Sequence, residues 1–243
     1  MESQLTIALA RQAVLSRQMD VIATNLANVT TAAFKAESMI FTEIIETDPL
    51  TGEFLSLVHD VGFVRDLSEG PMVGTSNPLD LALHDEGYFV VETPDGPRYT
   101  RHGVFQLDPA GQVVTTEGHP VLNTANAPIL VPLDADNIVV TRDGTISADA
   151  NEIGRFQVVR FADEQALKKL GSGLYDAEAQ LPLPAPEAEI LQGMVENSNV
   201  NGVTEITRMI DTVRNYQAAA ALADTEHQRI LDAIEALTTT TTA

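Results

Sequence analysis

The five histidines, His59, His84, His102, His119 and His227, are the residues best suited to carry chemistry in this sequence. A helical metal pair needs two of them four residues apart, and none is so placed. His84-Asp85-Glu86 is the densest cluster, but Gly87 follows it and the composition is that of a solvated turn. His59-Asp60 has no second ligand set at helical spacing. The serines lack the G-x-S-x-G elbow that exposes a nucleophile. Neither G-x-G-x-x-G nor a Walker loop is present to cradle a phosphate. Cysteine is absent, which excludes disulfides and thiolate metal sites. Basic residues adjoin only at Lys168-Lys169, with no aromatic platform for single-stranded nucleic acid. The expectation is a chain with no catalytic residue, no metal ligand and no cofactor. The enzymatic alternative, a hydrolase using His84, Asp85 and His102, has no supporting spacing.

The elements that would position any site are legible at both ends. In the N-terminal stretch Leu5, Ala8, Gln12, Leu15, Met19, Ile22, Leu26 and Val29 step alternately by three and four, without Gly or Pro. That is a heptad seam. The helix should end near Asn28-Val29-Thr30-Thr31, whose side chains compete for backbone hydrogen bonds. In the C-terminal stretch Ile206, Met209, Val213, Tyr216, Ala220, Ala223, His227, Ile230, Ile234 and Leu237 repeat the same steps. Val203, Ile210 and Leu231 widen the face. Asn201 or Thr204 is available as the cap. A helix of that length, apolar on one face, needs a partner along it, and the N-terminal helix is the obvious one. Gln12 and His227 read as polar seam residues that set register. Thr238 to Thr242 should fray.

Between the helices the pattern changes to β. Turn signals at Asp95-Gly96, Asp108-Pro109-Ala110-Gly111, Glu117-Gly118 and Asp143-Gly144 separate short runs at 79–83, 88–92, 104–107, 112–116, 138–141 and 156–161. One short helix is expected at 164–170. Leu181-Pro182-Leu183-Pro184-Ala185-Pro186 excludes helix and central strand and reads as an extended connector. The fold class is therefore α+β, mainly β with terminal helices. A discontinuous coiled-coil domain comes from both chain ends (1–35 and 195–243), and an antiparallel β domain (77–180) is inserted between them. Connectors occupy 36–76 and 181–194.

Composition bounds the partners. Hydrophobic content of 44% over 243 residues is globular, and with 5% aromatics and no Trp the core must rely on Leu, Val, Ile and Ala. The net charge is −21. Residues 1–35 carry Glu2 and Asp20 against Arg11, Arg17 and Lys35, so the excess acid lies in the middle of the chain. Such a surface repels nucleic acid and anionic lipid. No run approaches the ~20 apolar residues of a membrane span, and no secretory signal is visible, since Arg11 and Arg17 interrupt the apolar start.

Three stretches resemble the rod, hook and hook-associated proteins of the bacterial flagellar axis. The first runs from Asp20 to Lys35, with Asn25-Leu26-Ala27-Asn28 and Phe34-Lys35 close to an N-N-L-A-N-x-x-T-x-G-F-K pattern. The second is Asn77-Pro78-Leu79-Asp80, then Gly87-Tyr88-Phe89, then Tyr99-Thr100-Arg101-His102-Gly103-Val104-Phe105. The third is Glu196-Asn197-Ser198-Asn199-Val200-Asn201, similar to an S-N-V-N helix start. Thr24 replaces an Asn, Gly202 stands where Pro is common, and Ala33 replaces a Gly. The last change predicts a turn before Phe34 without a left-handed residue. Within the family the short segment before Asn77 is most like the proximal rod type, with the distal rod or hook type as the alternative. A binding module of the periplasm or cell surface, with the helices as a stalk, is the reading from another class.

The resemblance implies a structural subunit of the flagellar basal body. It implies export through the flagellar type III apparatus without a cleaved signal, and assembly in the periplasm with other rod proteins and copies of itself. The terminal helices would pack into the inner tube. The expected assembly residues are Leu15, Met19, Ile22 and Leu26, against Val213, Ala220, Ile230 and Ile234.

Overall fold

The structure, a computed structural model, describes residues 2–47 and 54–240. The side chains of Leu5, His59, Asp60, Ile234 and Leu237 lie outside those described, as do Thr241 and Thr242 altogether. The chain divides into two compact units. The first combines residues 1–27, 37–65 and 201–243, and the second combines 28–36 and 66–200. Among the described residues no helix is long and apolar enough to cross a membrane.

In the first unit, α1 (Glu2–Ala27) and α2 (Gly202–Thr240) run antiparallel. The α1 stripe is the expected one: Ala8, Leu15 and Ile22, seven apart, are buried, and Met19 and Leu26 are half-buried or better. Asn201 is the cap of α2, its Oδ1 accepting the Thr204 amide at 3.1 Å. The buried row of α2 differs from the expected one. It consists of Glu205, Thr212, Ala219, Ala223 and Glu226. Val213, Ala220 and Ile230 are half-buried at its flank, while Ile206 and His227 are exposed. His227 is therefore not a seam residue. The physical reason is the Asn25–Glu205 bond: it turns Glu205, and with it Thr212 and Ala219 at successive sevens, toward α1, and Ala223 alone is common to the expected and observed rows.

The same unit contains a long antiparallel ribbon, Glu37–Thr47 paired with Phe54–Arg65, with a register shift between Ile40 and Phe41. Part of the stretch expected as a connector thus forms strands. Its Ile, Phe, Val and Thr content is strand composition.

The second unit is antiparallel β. Its six-stranded sheet has the order Lys168–Lys169, Leu174–Asp176, Gly96–Thr100, Tyr88–Thr93, Val158–Arg160, Leu183–Pro184. The run Tyr88-Phe89-Val90-Val91 is continuously apolar because the sheet is buried on both faces. Phe89 and Val91 enter one core with Leu81, Leu83, Phe105, Val113 and Phe156. Tyr88 and Val90 enter the other with Tyr99, Phe161, Leu167 and Tyr175. Edge-to-face ring pairs tie each core, Phe89 with Phe105 at 5.2 Å and Tyr88 with Tyr175 at 5.6 Å.

No helix forms at 164–170. Asp163 Oδ1 accepts the amides of Gln165 and Ala166 as a helix cap would, but Leu167 is buried in the core and Lys168–Lys169 pairs as an edge strand with Leu174–Asp176, so the turn is not continued. Pro184 sits on the opposite edge, where its missing N–H leaves no ladder bond unmade. The rest of the expected second connector is built into β structure. Glu189–Gln192 pairs with Leu81–His84, and Met194–Glu196 pairs with Met72–Gly74.

Candidate functional site

Buried polar groups form two junctions, one in each unit, and residues of the sequence motifs stand at the centre of both. In the helical unit Asn25 stands one turn before the end of α1. Its Nδ2 donates to the Glu37 carbonyl at 2.8 Å and its Oδ1 accepts the Glu37 amide at 2.9 Å, so it acts as a substitute strand for the start of the ribbon. Nδ2 also reaches Glu205 Oε2 on α2 at 3.3 Å. Glu205 Oε1 in turn accepts from Arg208 at 2.7 Å. One amide side chain thereby registers α1, the ribbon and α2.

In the β unit the junction is charged. Glu196 is 2% exposed and lies between two buried cations. Lys35 Nζ donates to Glu196 Oε1 at 2.7 Å and to the Ser68 carbonyl at 2.7 Å. Arg101 Nε donates to Glu196 Oε2 at 3.2 Å. The Gly70 amide adds a third donor to the carboxylate, at 3.0 Å. The remaining Arg101 protons go to the carbonyls of Asp85, Gly87 and Leu83. Burial pushes the Glu196 carboxyl up, but Arg101, Lys35 and the Gly70 amide together hold it below its ordinary value. Burial, and then the Arg101 charge, lowers Lys35; the single shared carboxylate offsets this only in part. The centre thus places two cations on one anion, with Glu69 Oε1 at 3.8 Å from Arg101 as a distant fourth member.

Backbone and amide bonds surround this centre. The Ala33 amide donates to the Glu196 carbonyl and the Asn199 amide to the Phe34 carbonyl. Asn199 Oδ1 accepts the Ala36 amide at 2.7 Å, and its Nδ2 donates to the carbonyls of Asp66 and Ser68. Phe34 is buried under the Lys169 ammonium, 4.0 Å from its ring centroid. Ser198 Oγ accepts the Val200 amide, and Val200 is buried. The middle motif supplies the frame. Asn77 brackets a turn with Asp80 and the Leu79 amide, Thr100 bonds the Gly173 carbonyl, and Leu79, Tyr99 and Phe105 are core. Pro78 is exposed at that turn, and Gly103 lies against the Leu81 carbonyl.

Ala33 has φ +53°, so the turn before Phe34 is left-handed, contrary to the expectation from its Gly-to-Ala change. Ala33→Gly should leave stability unchanged within about 1 kcal/mol. Relief of left-handed strain is balanced by the lost buried methyl and the freer unfolded chain. Ala33→Val, β-branched at positive φ, should cost roughly 2 kcal/mol or more, read in a thermal melt of the tyrosine signal.

Among the described residues the histidines and their acidic neighbours converge at one place, which is not the set expected from the sequence. His84 and Asp85 converge with Glu69, not with His102, and the ligand-capable atoms of that exposed trio lie within 4.8 Å of one another. Glu69 is already engaged by His84 Nδ1 at 3.0 Å, by the Asp85 amide and by Arg101. His102 is half-buried beside Gly173, and burial lowers its pKa. Gly70 and Ser68 carry no distinguishing pattern in the sequence, and Glu196, though it opens the third motif stretch, carries nothing there that marks it as buried. The available signal is that Lys35 and Arg101, both within motifs, require a buried acid if they are internal.

Buried charges that hold distant parts of one chain together, along with a pair of long terminal helices, define a structural subunit. Comparison with known proteins agrees. Residues 82–148 match the model of the flagellar hook protein FlgE/F/G D1 domain, and residues 191–236 match that of the flagellar basal body rod FlgEFG protein C-terminal region. The flagellar basal-body rod protein FlgF of Caulobacter vibrioides is 36% identical over 98% of both chains. FlgF of Mesorhizobium japonicum is 32% identical over 91% of this chain and 92% of its own. The rod protein FlgG of Buchnera aphidicola, subspecies Schizaphis graminum, is 31% identical over 87% and 91%. The chain belongs to the flagellar basal-body rod protein family, as a member of its FlgF type.

Proposed function

We propose that this chain is a non-enzymatic subunit of the proximal rod, assembling through α1 and α2 into a helical tube that transmits motor torque. Its partners are neighbouring rod proteins and further copies of itself. It reaches the periplasm through the flagellar export apparatus. The observation that carries this reading is the apolar row left uncovered on α2 after α1 has packed. Val203, Ile206, Ile210 and Leu231 remain 45–77% exposed along one flank of the helix. An exposed apolar row of that length marks an interaction surface. A head-to-tail contact through it propagates as a helix and does not close as a dimer. Leu15, Met19, Ile22 and Leu26 support that interface from the α1 side, and Val213, Ala220 and Ile230 flank the buried row of α2.

The test is the double variant Ile206→Asp/Ile210→Asp. Both side chains are about half exposed in the subunit, so circular dichroism should show the helices retained, with stability changed by about 1 kcal/mol or less. Swarming and recovery of the chain in purified basal bodies should both be lost. Normal motility with normal rod content would reject the assembly role of this face.

A further inference from the structure

The charged junction of the β unit has a property that neither rod membership nor helical assembly requires. Its three side chains come from residues 35, 101 and 196, so the first and third are separated by most of the unit's sequence. Lys35 belongs to the segment that enters the unit and Glu196 to the segment that leaves it. Glu196 is the one buried carboxylate that touches both cations among the described residues; the partly exposed Glu69 adds a longer ion pair, 3.8 Å from Arg101. We propose that Glu196 is a closure latch: the β unit folds as a whole only when the leaving segment seats Glu196 between Lys35 and Arg101.

The physical case rests on charge count. With Glu196 in place, two cations and one anion are buried together, and the surplus positive charge is spread over four backbone carbonyls. These are Ser68 for Lys35 and Leu83, Asp85 and Gly87 for Arg101. Without it, the two buried cations keep only Glu69, partly exposed and 3.8 Å from Arg101, and the Gly70 amide is left without its carboxylate acceptor. The Leu83, Asp85 and Gly87 carbonyls flank the turn between the strands Leu81–His84 and Tyr88–Thr93, which carry the centre of both cores. An open latch therefore loosens the core and not only the chain end. The same closure stitches the entering and leaving segments side by side, through Ala33 with Glu196 and Phe34 with Asn199. The inference concerns folding of this unit and does not depend on the assembly surface of α2.

Native-state hydrogen exchange on the full chain tests it. In Glu196→Gln the amides of 81–84 and 88–93 should exchange at least about 100-fold faster, together with 33–36 and 68–70, as one cooperative block. Lys35→Met leaves a balanced Arg101–Glu196 pair and should raise exchange by less than about tenfold. The triple apolar variant Lys35→Met/Arg101→Met/Glu196→Met should recover protection to within about tenfold of the parent, because no uncompensated charge remains. Acceleration confined to 194–199 in Glu196→Gln, with 81–93 unchanged, would overturn the latch. So would equal effects of Glu196→Gln and Lys35→Met.

Discussion

Gly103→Ala is expected to destabilise the β unit by roughly 3–5 kcal/mol, the largest effect of any single-methyl addition in that unit. A Cβ at this position would stand 1.6 Å from the Leu81 carbonyl oxygen and 2.8 Å from its carbon. The obstacle is backbone, so no rotamer change relieves it. Leu81 is fully buried, and its amide is held by the Gly103 carbonyl at 2.8 Å. The strand Leu81–His84 would have to move away from Phe89, whose ring is the next atom met, at 3.4 Å. Three of the four tyrosines, Tyr88, Tyr99 and Tyr175, lie in the adjoining core, so tyrosine fluorescence in a urea titration reports the loss. Gly171→Ala is the control, because nothing lies within 4 Å of its Cβ position, and it should shift stability by less than about 0.5 kcal/mol. Equal midpoints for the two variants would refute the close-approach argument.

Ile22→Asp should cost the helix pair about 4 kcal/mol and abolish both motility and incorporation into basal bodies. Ile22 is 4% exposed and faces α2, so the substitution removes buried apolar area and places a carboxylate where it has no partner. Asn25 and Glu205 lie less than one turn along the seam, and a new negative charge there also weakens that bond. The near-ultraviolet signal of the β unit should be unchanged, since Ile22 is outside it. Swarming plates and immunoblots of isolated basal bodies are the readout. Wild-type swarming with wild-type rod content would reject the seam as an assembly element. Together with Ile206→Asp/Ile210→Asp this separates two roles. Ile22 makes the helix pair, and the α2 flank presents it.

The two terminal helices are legible from residue spacing because a long amphipathic helix repeats its signal many times. The burial of Leu15 and Ile22 follows from that repetition. Asn201 is readable as a cap, and the β character of the middle follows from turn pairs such as Asp143-Gly144. What spacing cannot decide is which flank of α2 is buried. Ile206-Val213-Ala220-His227 and Glu205-Thr212-Ala219-Glu226 have the same period and differ by one residue in phase. The choice depends on a partner helix almost two hundred residues away, where Asn25 bonds Glu205 and so sets the phase of α2. Similarly, 164–170 has helical composition and a cap in Asp163, and the pairing of Lys168–Lys169 with Leu174–Asp176 overrides it.

The family is legible in the motifs alone, because Asn25-Leu26-Ala27-Asn28, Asn77-Pro78-Leu79-Asp80, Tyr99-Thr100-Arg101 and Ser198-Asn199-Val200 are each local strings. Their purpose is not local. Lys35 alone reads as one more surface cation, and Glu196 as one more acid in a chain of net charge −21. Tertiary structure decides that these two and Arg101 are buried against one another. Burial is a property of the packed whole, and only burial turns ordinary charges into a junction that must be complete to be stable. The sequence by itself thus determined two helices, a β insert and the strings of family pattern. Folding brought those strings to two polar junctions, because buried charges and amides have to find partners wherever the chain can supply them.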